Sequence, residues 1–227
     1  MAVTDSISSH VQDYAKAVYA LETRQGHAVS TTDLAERLGV TPGSVSGMMR
    51  KLAELGLVEH EPYRGVRLTS QGRRVALEVL RHHRLIELFL SRELGMSWDQ
   101  VHAEAEVLEH VLSEGLEQVI AERLGNPTLD PHGDPIPTAA FEIDEGESYS
   151  LDELHDGAGG RFVRVSDSDP EMLRYLVEQG VSLGDRLDVI GRQPFGGPVF
   201  VRVGERELAL GGRLAQAMRI DLDQVSK

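Results

Sequence analysis

The sequence predicts a mainly α chain that ends in a small β domain, and three observations predict it. Apolar residues recur at helical spacing through most of the first 124 positions. Proline, glycine and carboxylates break that pattern between Gly125 and Gly160. From Arg161 onward, short alternating runs of β-branched and aromatic residues take over. A chain of 227 residues can form two compact units, or one with an appendage.

The elements follow in order. Ile7, Val11, Tyr14, Val18 and Leu21 form the apolar stripe of a first helix over 7–24, with Gly26 just past its end. Residues 31–38 form a short helix stopped by Gly39. Thr41-Pro42 then supplies an N-cap with proline at the first helical position. The helix it opens, 41–55, carries Val45, Met48, Met49, Leu52 and Leu55 on one face. Segments 57–61 and 65–69 are extended by composition, and the turn Pro62-Tyr63-Arg64-Gly65 joins them as a hairpin. A long helix runs from Thr69-Ser70 to about Leu94, and another from Trp98 to Leu124. After the Pro/Gly-rich stretch come strands at 162–165, 186–190, 199–203 and 207–210, interrupted by a helix at 170–179. Their size and glycine punctuation predict a small β-barrel.

Composition narrows the chemistry. The chain has no cysteine, which removes disulfides, thiolate metal sites and cysteine nucleophiles, so any metal must be held by His, carboxylates and backbone oxygens. No stretch approaches the roughly eighteen consecutive apolar residues of a membrane span, and the first residues lack a charged-then-apolar leader. A soluble, cytoplasmic protein without membrane partners is expected. The net charge of −14 argues against general nucleic-acid coating, because phosphate affinity comes from Lys and Arg. Between Arg50 and Arg74, however, Arg50, Lys51, Arg64, Arg67, Arg73 and Arg74 outnumber Glu54, Glu59 and Glu61.

That basic stretch coincides with a helix, a tight turn, a second helix and a hairpin, the order of a winged helix-turn-helix. Thr41, Gly43, Ser44, Ser46 and Gly47 are small or polar and would let the second helix settle into the major groove of double-stranded DNA. Arg50 and Lys51 can reach phosphates, and Tyr63 and Arg64 at the wing tip can reach backbone or minor groove. No Asn or Gln is placed for bidentate adenine readout, so shape and thymine-methyl contacts are expected to carry much of the specificity. The competing reading is a helical hairpin used for packing or dimerisation.

A second constellation lies downstream. His102, Glu106, Glu109, His110 and Ser113 fall on one helical stripe, and His83 and Glu87 sit four residues apart on the preceding helix. Imidazole and carboxylate on facing helices suit Mn, Fe or Zn. A solvated polar face would have the same spacing, so both readings stay open at this level.

These residues, taken with His82-His83-Arg84-Leu85-Ile86-Glu87 and the run Asp130-Pro-His-Gly-Asp-Pro-Ile-Pro137, resemble the diphtheria-toxin-repressor family of metal-dependent regulators over essentially the whole chain. The resemblance implies a winged helix-turn-helix domain at 1–74 and a helical dimerisation and metal-binding domain at 75–140. A linker at 141–159 and an SH3-like (FeoA-like) domain at 160–227 would follow. It also implies a homodimer that represses metal-homeostasis genes from an operator. The primary activating site maps to Asp13, Glu106, Glu109 and His110. Iron-type members carry Met and Cys where this chain has Asp13 and Glu106, so the match is to the manganese-type branch, with Mn²⁺ as the expected cofactor and Fe²⁺ as the alternative. Some two-domain manganese members carry a glutamate where this chain has Lys16, a departure from their closely spaced pair of ions. The ancillary site maps to His83, Glu87 and His102; where the family uses Glu and Gln, this chain offers Asp167 and Asp169.

The mechanism these residues suggest starts from repulsion. Two carboxylates about 5 Å apart at an effective dielectric of about 20 cost on the order of 3 kcal/mol. Without metal, Asp13, Glu106 and Glu109 are expected to leave the first helix loosely docked, and a divalent ion to reverse that. Dimerisation is expected to use Trp98, Val107, Leu108, Val111 and Leu112, unless that stripe packs internally. The alternatives are a winged-helix regulator sensing an organic ligand, and a metallohydrolase with Glu106 or Glu109 as base.

Overall fold

Caps and apolar stripes place the helices of the N-terminal part, in a computed structural model that describes residues 7–61 and 65–222. Helix α1 (Ser9–Gln25) buries Val11, Ala15, Val18 and Leu21. Helix α2 (Thr31–Leu38) starts in a reciprocal capping box between Ser30 and Asp33. Helix α3 (Pro42–Glu54) starts at Thr41, whose Oγ1 accepts from the Ser44 N–H, with Pro42 in the first turn. It turns Val45, Met49 and Leu52 inward. Strands β1 (Val58–Glu61) and β2 (Gly65–Leu68) pair antiparallel, Val58 opposite Leu68 and Glu61 opposite Gly65. Gly65 has φ +123, and a Cβ there would lie 2.0 Å from the Val29 carbonyl oxygen, so only glycine lets the hairpin close on Val29. Val29 and Val66 complete that contact as a β-bridge.

Helix α4 (Ser70–Leu94) contributes Val75, Ala76 and Leu77 to the same core, and it also buries Glu78, Arg81, His82, His83 and Glu87. Charged side chains are seldom fully buried unless paired, so this face is not a solvated one. The single helix expected over 98–124 is two: α5 (Val101–Leu108) and α6 (Glu114–Arg123). The break has a local cause. Ser113 caps α6 by accepting from the Leu116 N–H, which starts a new helix instead of extending the old one.

The β domain follows. Strands β3 (Tyr149–Ser150), β4 (Gly159–Val165), β5 (Arg186–Arg192), β6 (Val199–Val203), β7 (Arg206–Leu210) and β8 (Met218–Leu222) form one antiparallel sheet in the order β3-β8-β4-β5-β6-β7. Helix α7 (Pro170–Glu178) packs Leu173 and Leu176, and α8 (Gly212–Ala217) packs Leu214 and Ala215, into a core with Phe162, Leu187, Val201, Leu210 and Ile220. The sequence reading lacks β3, α8 and β8. The stretch between Gly125 and Gly160 is ordered rather than a free linker, with a β-bridge between Leu129 and Pro135.

Among the described residues the chain divides into two compact units. The first holds residues up to Ile86 with Ala105–Asn126 and Ile136–Ile143; the second holds Glu87–Glu104, Pro127–Pro135 and the chain from Asp144. Trp98 belongs to the second unit and packs against its core, unlike the dimer-facing position expected for it, while Val107 and Val111 of the first unit are 69% and 76% exposed.

Candidate metal centres and nucleic-acid interface

In the first unit, α1 and the end of α5 meet through polar side chains. The apolar stripe of α1 faces the core, which leaves Gln12, Asp13 and Lys16 beside it to meet Glu106, Glu109 and His110. Glu109 is 1% exposed and both its oxygens are engaged. Oε1 accepts from Lys16 Nζ at 2.6 Å, and Oε2 bonds His83 Nδ1. Lys16 Nζ also donates to Glu106 Oε1 at 2.7 Å. Burial works against the Lys16 charge, but Glu109 and Glu106 outweigh it and hold the ammonium above its ordinary value. The expected repulsion among Asp13, Glu106 and Glu109 is therefore not what the structure contains: a lysine tethered to α1 already neutralises part of it, and α1 is docked.

His110 is aimed by a residue the sequence reading missed. Gln12 Nε2 donates to the Ile7 carbonyl at 3.0 Å, which turns its Oε1 toward His110 Nδ1 at 2.7 Å. His110 Nδ1–H donates to that oxygen, leaving Nε2 with its lone pair toward Asp13 Oδ1, 3.0 Å away. Asp13 Oδ1 is buried and makes no hydrogen bond among the described residues. Burial raises the Asp13 carboxyl above its ordinary value, with His110 and Lys16 opposing. Two electron-pair donors held face to face in a buried place fit a divalent cation. Asp13, Glu109 and His110 bring their donor atoms within 4.8 Å of one another, and so do His83, Glu106 and Glu109.

Beneath this cluster, His82 Nδ1–H donates to the Glu109 carbonyl at 3.1 Å and its Nε2 lies 3.2 Å from Glu117 Oε2. Arg81 Nε donates to Glu117 Oε1 at 2.6 Å. Burial opposes the His82 charge, but the Glu117 hydrogen bond prevails and raises its pKa; Glu117 in turn is held low against burial by His82 and Arg81.

The second unit holds another cluster. Glu87 of α4, His102 of α5 and Asp167, just after β4, converge: His102 Nδ1 is 2.9 Å from Asp167 Oδ2 and 3.4 Å from Glu87 Oε1. Two further residues join them that were not singled out as ligands, Asp130 and His132, both buried with Glu87 and with donor atoms within 4.8 Å of one another. Asp130 Oδ1 accepts from the His132 and Asp134 N–H groups at 2.8 and 2.9 Å, folding the turn. His132 Nε2–H donates to the Trp98 carbonyl at 2.7 Å, the two rings stack with centroids 6.1 Å apart, and Nδ1 is turned to Glu87 at 3.7 Å. Gly133 (φ +85) is where the turn meets β4; a Cβ there would lie 2.0 Å from the Val163 carbonyl oxygen. The signal for His132 was a histidine between two aspartates in a turn-forming run. Asp167 and then Glu87 raise His102 to about 10; Glu87 raises His132 to about 9 against its burial. Asp169 is committed elsewhere: it caps α7 through the Glu171 N–H at 3.1 Å and pairs with Arg213 at 3.2 Å. His83, one turn before Glu87 on α4, belongs to the first unit, where it bonds Glu109.

The DNA-facing candidates lie on the outer side of α3. Thr41, Gly43, Ser44, Gly47, Arg50 and Lys51 are exposed and Ser46 is half-buried. The Thr41 and Ser44 hydroxyls bond each other at 3.0 Å and Ser46 Oγ donates to the Pro42 carbonyl at 2.9 Å, so these side chains lie close to the helix and keep its end slim. Tyr63 and Arg64 lie outside the described residues.

Comparison with known proteins follows the same division. Residues 6–66 match a family model described as "Iron dependent repressor, N-terminal DNA binding domain", 69–138 its "metal binding and dimerisation domain", and 149–222 the "FeoA domain". The chain is 31% identical over 222 residues to the iron-dependent repressor IdeR of Mycobacterium leprae (strain TN), covering 92% of this chain and 95% of that protein. Against the diphtheria toxin repressor of Corynebacterium glutamicum it is 31% identical over 218 residues, covering 92% and 94%. A solved manganese-dependent transcriptional repressor in complex with manganese superposes with a TM-score of 0.88 at 44% identity, covering 94% of this chain and 100% of that one.

Proposed function

The chain belongs to the iron-dependent repressor family that includes the diphtheria toxin repressor, and from that premise we propose a manganese-activated repressor that binds operator DNA as a homodimer. The observation that carries this reading is the triad of Asp13, Glu109 and His110, which joins α1 to the turn after α5 with a buried carboxylate oxygen and an imidazole lone pair face to face. Every donor is oxygen or imidazole nitrogen in a chain without cysteine, which favours Mn²⁺ over Fe²⁺. The structural neighbour bound to manganese supports the same choice.

Asp13, Glu109 and His110 would hold the ion, with Glu106 beside them. Bound there, it supplies the positive charge that ties the two carboxylates and the imidazole into one clasp. The chain's own residues transmit the rest. Val11, Ala15 and Val18 of α1 share a core with Val45 and Leu52 of α3, so steadying α1 steadies the helix carrying Gly43, Ser44 and Arg50. A pre-ordered α3 binds DNA without paying for that ordering. The exposed apolar residues Val107, Leu108, Val111, Leu116 and Val119 supply the contact between protomers. Glu87, His102, Asp167, Asp130 and His132 form a second centre. The family is one of repressors, no catalytic role is proposed, and the organic-ligand reading has no supporting observation. No described helix is long and apolar enough to cross a membrane.

The experiment is calorimetric titration of Mn²⁺ into wild type, Glu109→Ala and His110→Ala, followed by gel shifts on a duplex selected by the metal-loaded wild type. Both variants are expected to keep the wild-type circular dichroism and to lose metal-stimulated binding, by more than the roughly 10–100-fold typical of an orienting partner. Undiminished metal-stimulated binding overturns the assignment.

A further inference from the structure

The two donor triads of the first unit share one residue. Asp13, Glu109 and His110 form one, His83, Glu106 and Glu109 the other, and Glu109 belongs to both. Lys16 stands at the second: its Nζ lies 2.7 Å from Glu106 Oε1 and 2.6 Å from Glu109 Oε1, on two of the three residues of that triad. Its side chain is only 17% exposed, an unusual depth for a lysine unless a fixed charge pays for it.

We propose that Lys16 is a tethered cation that takes the place of a metal ion in the His83–Glu106–Glu109 triad, so that the clasp of this protein takes one divalent ion, at Asp13, Glu109 and His110. The inference rests on the metal-clasp reading above and adds the number of ions. Charge supports it: three carboxylates carry three negative charges, and one ammonium with one divalent ion balances them. A second divalent ion in place of the ammonium would leave the cluster net positive in a buried setting, which is costly. Position supports it too. Asp13 and Lys16 are three residues apart on α1, so the helix that delivers a ligand to one triad delivers the cation to the other. α1 is thus tied to α5 by the ammonium whether or not metal is present, and by Asp13 through the ion alone. The response to metal then comes from a single binding event, without the steepness that two ions sharing one carboxylate would confer.

The test is Mn²⁺ paramagnetic resonance on the full-length protein at saturating metal, because two Mn²⁺ ions sharing a carboxylate are exchange-coupled, whereas isolated ions give the ordinary hyperfine-split spectrum. Wild type is expected to show isolated ions only, and Lys16→Glu a coupled pair. A coupled pair in wild type overturns the proposal, as does a folded Lys16→Glu that binds Mn²⁺ without coupling. Should Lys16→Glu fail to fold, Lys16→Gln decides: the metal-free variant is expected to melt below metal-free wild type and to recover when Mn²⁺ is added, and an unchanged metal-free midpoint overturns the role. Failure of the underlying reading looks different, since Asp13→Ala would then leave the Mn²⁺ content of the wild-type background unaltered.

Discussion

Gln12 shows how much a single side chain outside the donor set can decide. By accepting from His110 Nδ1–H it fixes which ring nitrogen faces Asp13, and its own amide is fixed in turn by the Ile7 carbonyl. Gln12→Ala is therefore expected to weaken Mn²⁺ binding by about 10–100-fold in calorimetry while leaving the helical spectrum intact; unchanged affinity would remove the orienting role. His102 and His132 carry a different consequence. Raised to about 10 and about 9, both are protonated at neutral pH, and an imidazole must be neutral to ligate. Metal binding at the second centre thus releases protons at pH 7 and tightens as pH rises toward those values, which titration in buffers of different ionisation enthalpy reads directly. His82 and Glu117 set a stability window instead. The His82 value lies above its ordinary 6.5, so its contribution is complete below 6.5 and is lost as pH rises through the raised value. The Glu117 value lies below its ordinary 4.5, so its contribution is present above 4.5 and is lost as pH falls through the lowered value. Metal-free Glu117→Gln should therefore melt furthest below metal-free wild type between these limits, at about pH 5–6, and the gap should narrow in alkaline buffer.

At the scale of elements, the parts legible in the sequence are those whose signals are local. The capping box at Ser30, the proline after Thr41 and the hairpin around Gly65 each announce themselves within a few residues, and α1 to β2 follow closely. The break between α5 and α6 was also written locally, in the Ser113 cap, but the His/Glu stripe ran across it and a continuous helix absorbed both. Strand β8 alternates buried and exposed residues, yet it lies next to α8 and pairs with β4, far away in sequence. No local window contains its partner. The Asp130–Pro135 turn looked like a linker because proline and glycine read alike in ordered and free turns; what orders it is Asp130 bonding two N–H groups and Gly133 against Val163. Gly133→Ala should cost roughly 1–3 kcal/mol or more, through a positive φ and a clash with backbone. It should lower the melting of the second unit and its metal affinity together; a neutral effect on both would show that the turn is not held there.

For the whole molecule, the candidate site was legible as residue types at helical spacing, and His/carboxylate stripes are shared by solvated faces. What separates the readings is burial: Glu109, His83 and Glu87 are inside, and a buried carboxylate requires a counter-charge. That follows from how α1, α4 and α5 pack and is absent from any one of them. The same packing links the clasp to the DNA-facing helix, since α1 lies between them in one core. The central claim is that charge at the Asp13–Glu109–His110 clasp governs the grip on DNA. It is tested most directly by fluorescence anisotropy on one duplex, selected by metal-loaded protein, using a single preparation stripped by chelator and then reloaded with Mn²⁺. The account predicts that stripping weakens binding by about tenfold or more and that Mn²⁺ restores it; equal affinity in the two states would contradict it.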